Sequence, residues 1–214
     1  MIRVLVADDH KVVRAGLAAI IGLEPDMCVL GEAADGARAV ALCRELRPDV
    51  VVMDLKMPGM TGWQATAAIR REAPECRVLV FSTCIGDEQV YRAIQAGALG
   101  YVMKEAEESE LTGAIRDTHA GRRTLPAAVA AALERRLAFD PLTAREIDIL
   151  KRVASGMGNR EAGESLGLSE QTVKGYLKSI VSKLGAGDRT AAVVIAVQRG
   201  LIEVEKIEMQ LDAG

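Results

Sequence analysis

Over the first half of the chain, hydrophobic residues fall into five short runs: Ile2 to Ala7, Val29 to Ala33, Val50 to Met53, Val78 to Phe81 and Tyr101 to Met103. Stretches of helical spacing separate them, and the last, Glu107 to His119, brings Leu111, Ala114, Ile115 and Thr118 near one stripe. Short apolar runs alternating with helices predict an open parallel sheet. Four of the five runs stop at polar residues: Asp8 with Asp9, Asp54, Ser82 and Lys104. Ligands of such sheets collect beyond the carboxyl ends of the strands, so these side chains are expected in one crevice despite their separation in sequence.

The pattern changes after Gly121. Arg122 to Leu137 is basic and rich in alanine, contains Pro126, and is followed by Phe139, Asp140 and Pro141. Residues 122–140 therefore form an expected linker, helical over Ala128 to Leu137, where good helix formers dominate. Thr143-Ala-Arg-Glu146 has the form of a capping box and opens a second domain over 141–202, with four short helices. The first carries Ile147, Leu150 and Ala154 on one face. The second starts near Asn159 and stops at Gly167, and Ser169 caps the third after a very short turn, a helix-turn-helix arrangement. In the third helix Val173, Leu177, Ile180 and Leu184 keep the spacing of a buried stripe. That spacing turns Gln171, Gly175, Lys178 and Ser182 outward, flanked by Lys174 and Ser179. A small, polar, cationic face suits a helix entering a major groove, although a lysine face alone is more often simply solvated.

At 214 residues the chain has room for two domains of unequal size. Half of its residues are hydrophobic and only 3% are aromatic, so the cores are built from aliphatics and alanine. No apolar run approaches a membrane span and the amino terminus has a strand pattern, so a soluble, cytoplasmic protein without a membrane partner is expected. Cys28, Cys43, Cys76 and Cys84 are scattered without a C-x-x-C pair and are read as free thiols. The net charge of −3 conceals an acidic front half, a basic linker, a mildly basic second domain and an acidic tail over 203–214. A polyanion is thus expected to meet the second domain.

Clustered Asp8, Asp9 and Asp54 would repel one another unless protonated or bridged by a cation. Mg²⁺, a hard ion that prefers oxygen ligands, suits two carboxylates, a backbone carbonyl and substrate oxygens. Asp54, which alone ends the middle strand, is the expected nucleophile toward phosphorus, giving an aspartyl phosphate. Lys104 would neutralise the transferred phosphoryl group and Ser82 would hydrogen-bond to it. Taken singly each residue has a plainer reading: a turn-forming Asp, a solvated Lys, a Ser capping a strand end, a half-buried Tyr101. Their convergence in one crevice favours chemistry.

Asp8-Asp9, the stretch Met53-Asp54-Leu-Lys-Met-Pro-Gly-Met-Thr-Gly62, Phe81-Ser82-Thr83 and Gly100-Tyr-Val-Met-Lys104 together resemble the receiver domain of two-component response regulators over residues 1–121. The resemblance implies a five-stranded parallel, flavodoxin-like α/β fold and phosphorylation of Asp54 by a sensor histidine kinase. It also implies Mg²⁺ held by Asp9, Asp54 and the carbonyl of Lys56 with Asp8 beside them, and a switch in which the Ser82 hydroxyl moves toward the phosphoryl group while the Tyr101 ring turns inward. Lys104 is followed by Glu105 where many receivers have proline. A cis bond there would cost about 3 kcal/mol, which leaves the local conformation open. A flavin-binding or phosphatase module is the rival reading, but a flavin site of this topology wants a Ser/Thr/Gly-rich loop after the first strand, and here it is Asp-Asp-His-Lys.

In the second domain Leu142-Thr-Ala-Arg-Glu146, Val153-Ala-Ser-Gly156, Asn159-Arg-Glu161, Leu166-Gly-Leu-Ser169, Thr172-Val-Lys174, Ile180, Lys183-Leu-Gly185 and Arg189-Thr190 closely resemble the LuxR-type helix-turn-helix. The whole chain looks like a response regulator of the NarL/FixJ subfamily, not an enzyme. By that resemblance Lys174, Gly175 and Lys178 reach base edges of double-stranded DNA, while Ser169, Thr172, Lys183 and Arg189 are candidates for its phosphates. Tyr176 stands where histidine is common. Ala162 and Gly163 replace the usual isoleucine and alanine, and Gly costs about 1 kcal/mol against Ala in a helix, so a less stable domain is expected. The last helix, Thr190 to Arg199, is apolar nearly all round, and relatives dimerise through it; a homodimer is expected.

Overall fold

A computed structural model describes residues 1–83 and 86–202, so Cys84 and the acidic tail lie outside the described residues. The chain divides at Glu134/Arg135 into two compact units.

In the first unit β1 (Ile2–Ala7), β2 (Met27–Ala33), β3 (Val50–Met53), β4 (Arg77–Ser82) and β5 (Gly100–Met103) alternate with α1 (Lys11–Gly22), α2 (Gly36–Leu46), α3 (Gly62–Glu72), α4 (Asp87–Gln95) and α5 (Glu108–His119). The sheet order is β2-β1-β3-β4-β5, with every neighbouring pair parallel, as the five runs predict. Successive residues point to opposite faces. Val4, Val6, Val50, Val52, Leu79 and Val102 pack with α1 and α5 residues such as Leu17, Ile21 and Ile115. Leu5, Ala7, Val51, Met53 and Val78 pack with Ala39, Cys43, Ala65 and Ile69 of α2 and α3. Each fully buried Val, Leu or Ile stabilises by roughly 1.5–3 kcal/mol, so the sheet's central strands anchor the unit.

Strand boundaries shift by a residue or two from the expectation. β2 begins at Met27, because Ile2 pairs with Met27 and a register shift between Val4 and Leu5 absorbs the mismatch further along. β4 takes in Arg77 and Ser82, so Ser82 is the last strand residue rather than the first loop residue. The Lys104–Glu105 peptide is trans, as is every other described bond.

Beyond α5 the chain returns to the sheet. The Tyr101 amide donates to the Thr124 carbonyl (2.9 Å), and Gly100 and Thr124 form an isolated parallel bridge along the outer edge of β5. The next helix, α6 (Ala127–Leu137), begins one residue before the expected start, and its Val129 and Ala132 are fully buried with Val80, Val90, Ala93 and Tyr101.

The second unit consists of α7 (Ala144–Ala154), α8 (Asn159–Leu166), α9 (Glu170–Leu184) and α10 (Arg189–Gln198) around Ile149, Leu150, Val153, Val173, Leu177, Ile180 and Leu184. The capping box forms: Thr143 accepts from the Glu146 amide and Glu146 accepts from the Thr143 amide at 2.7 Å, an arrangement of the kind that stabilises a helix start by about 1 kcal/mol. Gly167 ends α8 in the left-handed region (φ 66°), and Ser169 accepts from the Thr172 amide to cap α9. α10 starts one residue early because Asp188 accepts from the Ala191 amide.

Candidate functional site

The carboxyl ends of β1, β3 and β5 bring the acidic residues and the lysine together. The Asp54 amide donates to the Ala7 carbonyl at 2.8 Å, which fixes the end of β3 against the end of β1. From β5, Lys104 reaches across to place its Nζ 2.5 Å from Asp8 Oδ2 and 3.2 Å from Asp54 Oδ2. Asp8 and Asp54 are 1% and 4% exposed, whereas Asp9 and His10 are open to solvent. One ligand atom from each of Asp8, Asp9, His10 and Asp54 lies within 4.8 Å of the others. The site therefore has a buried floor, with Asp9 and His10 at its accessible rim.

Burial pushes the Asp54 carboxyl above the usual carboxylate range; the Lys104 charge opposes that rise and the Asp8 charge adds to it. For Lys104 burial disfavours the cation, but the hydrogen bond to Asp8 and the charges of Asp54 and Asp8 outweigh it and raise its pKa. Lys104 is thus locked in its charged form by the acids it neutralises. Asp54 Oδ1 accepts from the Leu55 amide at 2.8 Å, leaving Oδ2 as the oxygen that faces the lysine.

The remaining candidates of this crevice take distinct positions. Ser82 is 1% exposed, and its carbonyl accepts from the Lys104 amide at 3.2 Å. Tyr101, two residues into β5, has no exposed surface. Lys56 is exposed, two residues beyond Asp54. Gly62 explains how the loop after Asp54 closes: a Cβ there would lie 1.9 Å from the Asp54 carbonyl oxygen, and its amide donates to Leu55 at 3.0 Å.

On the helix-turn-helix, Gln171, Lys174, Gly175, Lys178 and Ser182 are exposed and the Val173, Leu177, Ile180, Leu184 stripe is buried, as the spacing predicts. Ser179 departs from it. Instead of flanking the outer face, its hydroxyl donates to Glu146 Oε1 at 2.7 Å. Among the phosphate candidates, Lys183 is ion-paired with buried Glu146 at 2.8 Å and Arg189 donates to the Met157 carbonyl at 2.9 Å. Ser169 and Thr172 share the cap of α9, their hydroxyls 2.7 Å apart. Lys174 pairs with exposed Glu170, a contact of small energetic weight.

Comparison with known proteins decides the assignment. The profile of the response regulator receiver domain matches residues 4–116, and that of the bacterial regulatory proteins of the luxR family matches residues 140–196. The chain belongs to the two-component response regulators. Similar members include the transcriptional regulatory protein LiaR of Bacillus subtilis, 43% identical over 210 residues, covering 94% of this chain and all of LiaR. The response regulator VraR of Staphylococcus aureus is 36% identical over 207 residues, covering 94% of this chain and 99% of VraR. Among solved structures, the response regulator ChrA of a heme-sensing two-component system is 43% identical and has a TM-score of 0.58 over 94% of this chain and 98% of its own. LiaR and VraR are of the NarL/FixJ type, and the regulator has a receiver followed by a LuxR-type DNA-binding domain. No described helix is long and apolar enough to cross a membrane.

Three features of the regulator were not singled out by sequence reasoning. His10 approaches Asp9 Oδ1 at 2.8 Å, so it borders the acidic site; its place directly after Asp9 was the only available signal. Arg14 donates to the Asp8 carbonyl at 2.7 Å and ties α1 to the end of β1. Glu146, half of the capping box, also binds Ser179 and Lys183 of α9.

Proposed function

We propose that a sensor histidine kinase phosphorylates Asp54 of this transcription regulator, and that the phosphorylated form dimerises and binds specific double-stranded DNA sites. The observation that carries this reading is the Lys104 bridge between Asp8 and Asp54 at the mouth of the parallel sheet, with Asp9 and His10 at its open rim. The buried carboxylates and solvent-facing Asp9 form an oxygen-rich set suited to Mg²⁺, which the resemblance assigns to Asp9, Asp54 and the Lys56 carbonyl beside Asp8. When bound, Mg²⁺ supplies positive charge against the carboxylates and the phosphoryl oxygens.

In this scheme Asp54 Oδ2 attacks phosphorus, the phosphohistidine nitrogen leaves, and Lys104 shifts its ion pair onto the phosphoryl oxygens. The Ser82 hydroxyl then donates to a phosphoryl oxygen. Acceptance is stoichiometric, one group per chain. On DNA, Lys174, Gly175 and Lys178 face the bases, and Ser169, Thr172, Lys183 and Arg189 lie toward the backbone. The exposed Val194 (49%) and Val197 (40%) on α10 support pairing through that helix, since Ala192 and Ala196 already fill its core side. The cytoplasm, where kinase and promoter meet, is the expected compartment.

Incubation with acetyl phosphate and Mg²⁺ followed by intact-mass measurement tests the acceptor. One phosphoryl adduct per chain, lost in Asp54→Asn, is expected; an undiminished adduct on that variant refutes the assignment.

A further inference from the structure

Asp8 is held through each of its polar groups. Its amide donates to the Ala33 carbonyl of β2 at 3.1 Å, and its carboxylate accepts from the His10 amide at 2.8 Å and from Lys104 at 2.5 Å. Its carbonyl is taken by Arg14, in the first turn of α1, which donates to it at 2.7 Å. The guanidinium is itself well seated. The Arg14 side chain is only 14% exposed, its Nε lies 3.4 Å from Glu32 Oε2 of β2, and its amide donates to the His10 carbonyl at 3.1 Å. The turn between β1 and α1 is thus closed on itself and tied to β2 through Ala33 and Glu32.

Asp9 is held more loosely. Its side chain is 32% exposed and meets the solvent-facing imidazole of His10 at 2.8 Å. The backbone is what keeps its carboxylate beside those of Asp8 and Asp54, with ligand atoms within 4.8 Å of one another. The Asp8 carbonyl belongs to the Asp8–Asp9 peptide. Because a peptide unit is planar, a hydrogen bond to that oxygen fixes the plane from which Asp9 departs. A planar, fully charged guanidinium performs this better than a freely turning ammonium.

We propose that Arg14 is a positioning residue for the cation site: by holding the Asp8 carbonyl it sets the plane of the Asp8–Asp9 peptide and keeps the Asp9 carboxylate in the acidic cluster. The inference rests on the reading of that cluster as the Mg²⁺ site of a phosphoacceptor. Two plainer roles predict other outcomes. As a positive charge near the carboxylates, Arg14 would compete with a divalent ion and its loss would tighten binding, the behaviour expected of Lys104, which pairs with both buried acids. As a mere tie between α1 and the sheet, it would contribute stability and leave the ion's affinity unchanged. Positioning alone makes its loss weaken binding, since groups that orient metal ligands typically govern roughly 10–100-fold in affinity.

Isothermal titration of the metal-free full chain with Mg²⁺ tests the proposal, with cooperative melting in EDTA showing that each variant is folded. Arg14→Met, which keeps the apolar stem, should bind Mg²⁺ about tenfold more weakly. Arg14→Lys retains a charged donor and should recover part of that loss, remaining about threefold weaker than the parent. Unchanged or tighter binding in Arg14→Met overturns the proposal. An equal loss in Arg14→Lys also overturns it, by assigning the effect to packing. Should Arg14→Met not fold, Arg14→Lys alone decides, and unchanged affinity there is the contradicting result. A parent chain that does not bind Mg²⁺ overturns the metal reading itself, and the positioning role with it.

Discussion

Lys183 of the recognition helix is held 2.8 Å from the carboxylate of Glu146, which is buried at the start of α7 and also accepts from Ser179 and the Thr143 amide. Burial pushes that carboxyl up, but the hydrogen bonds from Lys183, Thr143 and Ser179 outweigh it and hold the pKa at about 2. A carboxyl depressed in the folded state contributes stability that is present above its unfolded value of 4.5 and lost as pH falls toward about 2. Thermal melts of the second unit should therefore lose stability across that window, and Glu146→Gln should flatten the dependence. An equally steep acid loss in the variant would show that other groups govern it.

The same ion pair separates two lysines of α9. Lys178 is exposed and no partner is described for it, whereas Lys183 is three-quarters covered and neutralised. Lys178→Ala should weaken DNA binding and reduce the slope of log affinity against log salt, because it removes a cation from the face that enters the groove. Lys183→Met should chiefly lower stability, because it leaves a buried carboxylate without its cation. Binding isotherms at several salt concentrations distinguish them; an unchanged slope in Lys178→Ala would remove that residue from the interface.

Gly163 reverses an expectation drawn from helix propensity. In an exposed helix Gly→Ala gains about 1 kcal/mol, which suggested a weakened α8. Here a Cβ would meet the Leu168 carbonyl oxygen at 2.7 Å, because the Leu168 amide donates to Gly163 across the tight turn. Gly163→Ala is accordingly expected to lower the melting temperature by several degrees. A more stable variant would mean that the turn can open without cost.

Lys104 occupies both buried acids that would otherwise attract a cation. Lys104→Ala should bind Mg²⁺ more tightly than the parent while losing phosphoryl acceptance, and its melting temperature should depend more strongly on Mg²⁺. Isothermal titration with Mg²⁺ measures this, and a weaker Mg²⁺ affinity in the variant would contradict the assigned competition.

Much of this organisation was legible in the sequence. Continuous Val and Ile runs that end in Asp8, Asp54 and Ser82 mark a buried parallel sheet and its reactive end together, since strands covered on both faces carry no polar interruption until they emerge. Capping residues such as Thr143 and Ser169 marked helix starts for the same local reason. What escaped was information carried by tertiary pairing. α6 is built largely of alanine, whose burial leaves almost no periodic contrast, so a helix packed against Tyr101 read as part of a linker. The inward turn of Ser179 depends on Glu146, 33 residues away, and the Asp188 cap precedes the apolar stretch that marks α10. Gly163 read as a defect because its neighbour across the turn is set by the fold, not by adjacent sequence.

The account stands most directly on the coupling between Asp54 and DNA. Affinity of the full chain for a fragment spanning the promoter beside its own gene should be measured with and without acetyl phosphate and Mg²⁺, in the parent and in Asp54→Asn. The account predicts at least tenfold tighter binding by the phosphorylated parent and no change in the variant. Equal affinity of phosphorylated and unphosphorylated parent would contradict it.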